Sequence, residues 1–225
     1  MKVSNHMDLN SLSDRLRRTR MRHLEDLIRS IGKSGLRLAD LGGTRSFWEM
    51  NLPHLRSKNC LERIDLFNLT AEPDGEIAGI PVRSRTADIK KLTAVPDGAY
   101  DIAFSNSAIE HTGNFEEQYR AACEIRRMAG AFVVQTPNRG FPLEPHFYVP
   151  FFNRFPLSLR AGLHQRFRLG WLPPEPDPLR ARIDCDQIRL LSRRELRLLF
   201  PDARIFNERL LGMVKSFIVV YGAGK

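Results

Sequence analysis

Leu36-Arg-Leu-Ala-Asp-Leu-Gly-Gly-Thr44 is an apolar run that ends in a carboxylate and a pair of glycines. The aromatic segment Ser46-Phe-Trp-Glu-Met50, with helical character, follows at once. A strand that stops at Asp40-Leu-Gly-Gly43 carries bare backbone to the carboxyl edge of a sheet. There glycine lets a ligand approach closely, and the N-terminus of a following helix offers unpaired N–H groups. Such an edge suits a nucleotide-like group, and the rest of the chain supplies further pieces at regular intervals.

Upstream, Leu12, Leu16, Leu24, Leu27, Ile28 and Ile31 recur at helical spacing with Arg15, Arg17, Arg18, Arg20 and Arg22 between them. The spacing predicts an amphipathic N-terminal helix within about 8–34, ended by Gly32 and Gly35. It serves either as a lid or anionic-surface contact, or as a helix packed on the sheet with a solvated basic face. Downstream, strands are expected at Leu61–Phe67, from Ile80, at Ala99–Ser105 and at Ala131–Thr136. Asn114 caps a helix with Glu117 three residues on, and Phe115, Tyr119, Ala122 and Ile125 mark its buried stripe. Alternating strands and helical segments imply an α/β fold: a doubly wound, mostly parallel, seven-stranded sheet.

The C-terminal part breaks the alternation. Ser192-Arg-Arg-Glu195 is a capping box that opens a helix halted by Pro201. Two strand-like runs, Arg204–Leu211 and Ser216–Tyr221, are joined by a turn near Gly212 too short for a parallel crossover, so the last strand is antiparallel. Between strand five and that helix lies a proline- and aromatic-rich insertion, about 138–188. Phe141, Phe147, Tyr148, Phe151, Phe152 and Trp171 argue that it packs, either around an acceptor or as a satellite core.

The chain has 225 residues, enough for a single domain over 1–225 with its own core. Its net charge of +9 suits phosphates, nucleic acid, anionic lipid headgroups or acidic glycans; it also fits the arginine-rich composition of a GC-rich bacterium. Cys60, Cys123 and Cys185 lie far apart with no C-x-x-C pair, which argues against disulfides and a zinc cluster and for a reducing cytoplasm. The polar start Met1–His6 lacks the apolar core of a signal peptide, and no run approaches the roughly 20 apolar residues of a membrane span.

Asp40, Asp65 and Asp88 fall at near-equal intervals, each near a predicted strand end, where ligands of a doubly wound sheet bind. An acidic residue about 20 residues past the glycines is placed to hold a ribose hydroxyl pair. Asp88-Ile89 offers a polar contact and an apolar face to an adenine ring. With these pieces the sequence resembles the class I S-adenosylmethionine-dependent methyltransferases, of the broad type 11 group, over about residues 36–221. The matching segments are Asp40-Leu-Gly-Gly43, Asp65, Ala87-Asp-Ile89, Pro96 to His111 with its Glu110-His111, Thr136-Pro-Asn138 and the terminal strand pair. The resemblance implies a Rossmann-like fold and S-adenosylmethionine held by Asp40, Gly42, Gly43, Thr44, Asp65, Leu66, Asp88, Ile89, Ser105 and Asn106. Thr44 stands where that pattern has its second glycine; its hydroxyl can still bond the methionine carboxylate.

Methyl transfer to a hydroxyl needs a near-attack pose and a base. His111 is one candidate, or it only packs beside the cofactor. Glu144-Pro-His146 is the other, stiffened by its prolines, or it is a local polar network. A metal site from Glu144 and His146 needs further ligands, and the sequence identifies none. Asn106, Asn138 and Arg139 orient an acceptor or satisfy loop backbone. The expected activity is methyl transfer to oxygen or nitrogen of a small molecule or glycan precursor. The alternatives are an RNA methyltransferase, suggested by charge, and a non-catalytic S-adenosylmethionine-binding protein. A nicotinamide dehydrogenase is disfavoured because G-x-G-x-x-G is absent.

Overall fold

A computed structural model of the chain describes residues 12–170 and 172–222. The polar start, the expected beginning of the first helix near residue 8, and Trp171 lie outside the described residues. The helices are α1 (Leu12–Ile31), α2 (Arg45–Asn51), α3 (Phe115–Met128), α4 (Leu157–Arg166), α5 (Pro178–Asp186) and α6 (Arg193–Leu199). The strands are β1 (Leu36–Leu41), β2 (Leu61–Asn68), β3 (Gly75–Ile77), β4 (Ile80–Thr86), β5 (Tyr100–Asn106), β6 (Ala129–Pro137), β7 (Arg204–Leu210) and β8 (Met213–Tyr221).

They make one eight-stranded sheet in the order β3-β4-β2-β1-β5-β6-β8-β7. The strands β4, β2, β1, β5 and β6 run parallel, while β8 is antiparallel to β6 and to β7. The sequence reading gives seven strands. The eighth, β3, is three residues long and pairs antiparallel with β4 through a hairpin turning at Ala78-Gly79, both at positive φ. A run this short shows no alternation to read.

Strand parity divides the core. Leu36, Leu38, Ile64, Leu66, Ile102 and Phe104 face α1 and α2, with Leu24, Leu27, Ile28 and Trp48 packed on them. Ala39, Leu41, Phe67, Ala103, Phe132 and Val134 face the other way, under Ala122 and Ile125 of α3 and Leu196 and Leu199 of α6. Both expected capping boxes form: Asn114 with Glu117 and Ser192 with Glu195. Tyr119 is not part of the α3 stripe; it is exposed, and Gln118, Ala121 and Met128 are buried in its place. The insertion is more ordered than its prolines suggest. It holds α4 and α5 and a small core of its own from Phe147, Phe152, Leu169 and Cys185.

Helix α1 packs on the sheet and also reaches its carboxyl edge. The Arg20 guanidinium spans Glu208 of β7, at 2.9 and 3.1 Å, and the side-chain oxygen of Asn106, at 3.0 Å. Glu208 is buried and also accepts from the Ser216 hydroxyl. Removing one partner of such a pair strands a charge in low dielectric. Arg20→Met should therefore lower unfolding free energy by about 3 kcal/mol in urea melts. Adding Glu208→Gln should recover part of the loss, and a strictly additive double variant would speak against the pairing.

Candidate functional site

The exits of β1, β2, β4 and β5 are tied to one another. The Gly42 amide donates to the Phe67 carbonyl at 2.8 Å, and the Asn68 side-chain amide donates to the Gly43 carbonyl at 2.7 Å. The Ala87 amide reaches the Asn68 carbonyl at 2.8 Å. Gly42 has φ +80°, and a Cβ there would stand 2.5 Å from the Ala108 Cβ just past β5. A Cβ on Gly43 would fall inside the Asp40 carboxylate. Glycine is thus required twice, once for conformation and close approach and once for space. The result is a rim at the carboxyl edge carrying Gly42, Asn68, Asp88, Ile89 and Ala108.

The expected aspartate trio does not converge there. Asp40 lies beneath Gly43, fully buried on the α2 side, where the Trp48 indole N–H donates to one oxygen at 2.6 Å. Its other oxygen has no partner, and burial pushes its pKa up to about 7, against the pull of the Trp48 bond. Asp65 sits inside β2 rather than at its end, opposite Ala39, and is turned to the other face of the sheet by strand parity. It is fully buried and accepts from the Tyr100 hydroxyl at 2.7 Å and from Arg63 Nε at 3.1 Å. Leu66 is likewise core, facing α1 and α2. Asp65 and Leu66 therefore do not reach the rim. The residue that ends β2 is Asn68, three positions on, which the spacing argument missed. Counting register from Asp40, which pairs with Leu66, would have found it.

The other expected residues divide between rim and support. Thr44 caps α2, its hydroxyl accepting from the Phe47 amide at 3.3 Å. Asp88 caps its own turn through the Lys90 amide at 2.9 Å and stays half-exposed beside Ile89. Ser105 is buried and donates to the Leu41 carbonyl at 3.1 Å, so it links β5 to β1. Asn106 is held by Arg20. Beyond it, Ser107 has φ +54° and bonds Gln135 at 2.8 Å. Asn138 is turned to backbone, donating to the Val214 carbonyl, and Arg139 pairs with Glu195.

A cavity of about 220 Å³ opens next to this edge, lined by Arg17, Arg20, Ser107, Gln135, Phe141 and Lys215 among others. Pro145 also lines it, and the residues on either side of that proline are Glu144 and His146. The Glu144 carboxylate is buried. One oxygen pairs with His146 Nδ1 at 2.7 Å; the other accepts from the amides of His146 and Phe147, at 2.7 and 2.6 Å. Burial alone would lower the His146 pKa, but the Glu144 bond and charge outweigh it and raise it. The His111 ring stands perpendicular to that of His146, centroids 4.8 Å apart. Enclosure of its inner edge, then the neighbouring His146 charge, pushes the His111 pKa down. The structure thus brings His111, Glu144 and His146 together. Glu110 is the member sequence reasoning missed. It is fully buried, accepts from the Thr136 hydroxyl at 2.9 Å, and burial pushes its pKa up to about 7. Its place beside His111 in the Glu-His pair was the available signal.

No family model matches the chain. Two uncharacterized proteins of Mycobacterium tuberculosis, from strains CDC 1551 and H37Rv, are 28% identical over 120 residues, 48% of this chain. The chain covers 41% of the length of these relatives. Magnesium protoporphyrin IX methyltransferase from Synechocystis, solved with S-adenosylhomocysteine, superimposes with TM-score 0.53 at 13% identity, over 93% of this chain and 86% of that one. The N-methyltransferase NodS from Bradyrhizobium japonicum, also with S-adenosylhomocysteine, gives 0.50 at 11%, over 91% and 86%. A Rhodobacter sphaeroides protein provisionally described as a Zn-dependent alcohol dehydrogenase gives 0.53 at 13%, over 87% of each chain. The chain has the class I methyltransferase fold. Likeness at these identities speaks for the fold, and function has to be argued from the site.

Asp40 gives a pH signature. A buried carboxyl with a raised folded pKa binds its proton more tightly when folded, so its contribution to stability is complete below the unfolded value near 3.8 and is lost as pH rises toward about 7. Roughly 4 kcal/mol is at stake across that window. Asp40→Asn, which keeps an acceptor for Trp48, should flatten the fall in stability measured by urea unfolding between about pH 4 and 7. An unchanged slope would mean that Asp40 is ionised in the folded protein.

Proposed function

We propose that the chain is an S-adenosylmethionine-dependent methyltransferase whose described residues serve as one catalytic domain. The observation that carries this is the tied rim of Gly42, Asn68, Asp88, Ile89 and Ala108 next to an imidazole–carboxylate cluster. The residues present fit the donor. Gly42 exposes backbone where any side chain would strike Ala108. Asn68, level with the glycines, keeps a side-chain oxygen for ribose hydroxyls, replacing the expected Asp65. Asp88 and Ile89 offer a carboxylate and an apolar edge for adenine, and Thr44 lies at the methionine end. The two methyltransferase structures solved with S-adenosylhomocysteine share this fold and support the assignment.

When bound, the donor supplies an electrophilic methyl group on a sulfonium. The chain's part is to hold an acceptor oxygen or nitrogen in line and manage its proton. His111, Glu144 and His146 carry that role in this reading. Glu144 fixes the direction of His146 through its Nδ1, and His111 adds a second imidazole beside it. The 220 Å³ cavity lined by Arg20, Ser107 and Lys215 suits a small molecule or one unit of a glycan precursor rather than a duplex. Among the described residues no helix is long and apolar enough to cross a membrane. We assign the activity to the cytoplasm on the three unpaired cysteines.

Calorimetry with S-adenosylhomocysteine tests the donor site. Wild-type protein should bind it, and Asn68→Ala should lose about 1 kcal/mol, roughly fivefold in affinity. Asp65→Asn should leave affinity unchanged. No binding to wild-type protein, or a penalty at Asp65 and none at Asn68, would overturn the reading. Glu144→Gln should keep donor affinity while methyl transfer to an extracted acceptor falls by about 10²-fold or more.

A further inference from the structure

Glu110 and His111, in the turn after β5, meet His146 from the insertion. One donor atom from each lies within 4.8 Å of the others. Each is prepared in its own way. Glu110 is fully buried, with one oxygen fixed by Thr136, while the other has no hydrogen-bond partner. Leaving a buried acceptor unmatched costs on the order of 1–3 kcal/mol, more when charged, so an unexplained one points to something that completes it. His146 has Nδ1 taken by Glu144, whose second oxygen is anchored by two backbone amides. That carboxylate–imidazole pairing is how ligating histidines are oriented from behind, with Nε2 turned to the ion. His111 stands edge-on to His146, and no hydrogen bond engages its ring among the described residues.

We propose that Glu110, His111 and His146 form a binding site for a divalent first-row transition ion, with Glu144 and Thr136 holding two of the ligands from behind. Two imidazoles and one carboxylate favour ions such as Zn²⁺, Mn²⁺ or Co²⁺ over Ca²⁺ or Mg²⁺, which prefer oxygen ligands throughout. Donors now up to 4.8 Å apart draw in by roughly 1.4 Å when bonded tetrahedrally to one ion at roughly 2.1 Å. Three protein ligands leave a coordination position open, as in catalytic rather than structural sites. Pro145, which lines the cavity, immediately precedes the ligand His146, so an acceptor in that cavity would lie close to the ion and could offer it an oxygen as a further ligand. This last point rests on the methyl-transfer reading; ion binding itself does not.

The test is titration of chelator-stripped, full-length protein with Co²⁺, followed by calorimetry and by the visible absorption of the bound ion. One equivalent should bind, with a spectrum typical of mixed nitrogen and oxygen ligands. Glu110→Gln and His146→Ala should each abolish the spectrum, and Glu144→Gln should weaken binding about 10- to 100-fold. Each variant is checked for folding by thermal melting, and His111→Asn provides a further ligand deletion should one of the others fail to fold. No saturable binding to wild-type protein, or equal binding by folded variants, would overturn the site. S-adenosylhomocysteine affinity of the metal-free protein is measured in parallel: its loss with Co²⁺ binding intact sinks the methyl-transfer reading alone, and its retention without Co²⁺ binding sinks the metal site alone.

Discussion

The close approach of the Gly42 backbone to Ala108 sets the geometry of everything around it. No side chain fits between the exits of β1 and β5, so the two strand ends close to a separation only glycine allows. Gly43 extends the constraint sideways. It lies over the Asp40 carboxylate, and its carbonyl is held by Asn68, which draws the end of β2 to the same level. Ala87 then brings in β4 through the Asn68 carbonyl. Four strand exits become one rim through backbone bonds and the side-chain amide of Asn68.

The glycine stretch and the helix caps were legible because their signals are local. Leu36–Leu41 forms a strand and Asn114 caps with Glu117, since neither depends on where the chain goes next. Facing direction was not legible. Asp65 is spaced as a ribose ligand should be, yet which face it takes depends on the register of β2 against β1, where Asp40 sits level with Leu66. Once that register is fixed, period-two alternation sends Asp65 to Tyr100 and Arg63, and the level end of the strand belongs to Asn68. The insertion was obscured differently. Its helices α4 and α5 lack a clear apolar stripe because they pack on each other and on a few aromatic anchors, so spacing alone reads them as loop.

That small second core explains how a proline-rich stretch holds chemistry in place. Phe147 follows directly on Glu144-Pro-His146 and is buried against Phe152, at 4.5 Å between ring centroids, and against His164. Tyr148 and Phe151 both take left-handed backbone, at φ +54° and +56°, each a strain of order 1 kcal/mol that the packing must offset. Gly170 lets its turn press on the same segment, since a Cβ there would stand 2.8 Å from the His146 carbonyl and 2.7 Å from the Tyr148 ring. Glu144 is thus fixed from three directions: by its own backbone bonds, by the aromatic anchors and by the turn at Gly170. A carboxylate so restrained can hold an imidazole to one tautomer and one direction.

The glycine rim and the cluster of His111, Glu144 and His146 come from distant parts of the chain, and the short segment Ser105–His111 joins them. Ser105 bonds the carbonyl of Leu41, and Ala108 abuts Gly42, so its near end belongs to the rim. Ser107 turns through positive φ to bond Gln135 and line the cavity. Glu110 is tied to Thr136, and His111 ends against His146. Along seven residues the chain passes from the glycine rim to the imidazole–carboxylate cluster, tied along the way to neighbouring strands and loops. Rim and cluster are therefore linked mechanically: a shift of the β1 exit would press on Ala108, and through it on the turn that carries Glu110 and His111. In the proposed methyl transfer this turn would set the alignment for in-line displacement, and α1 is already tied to it through Arg20, which binds Asn106 near the segment's start.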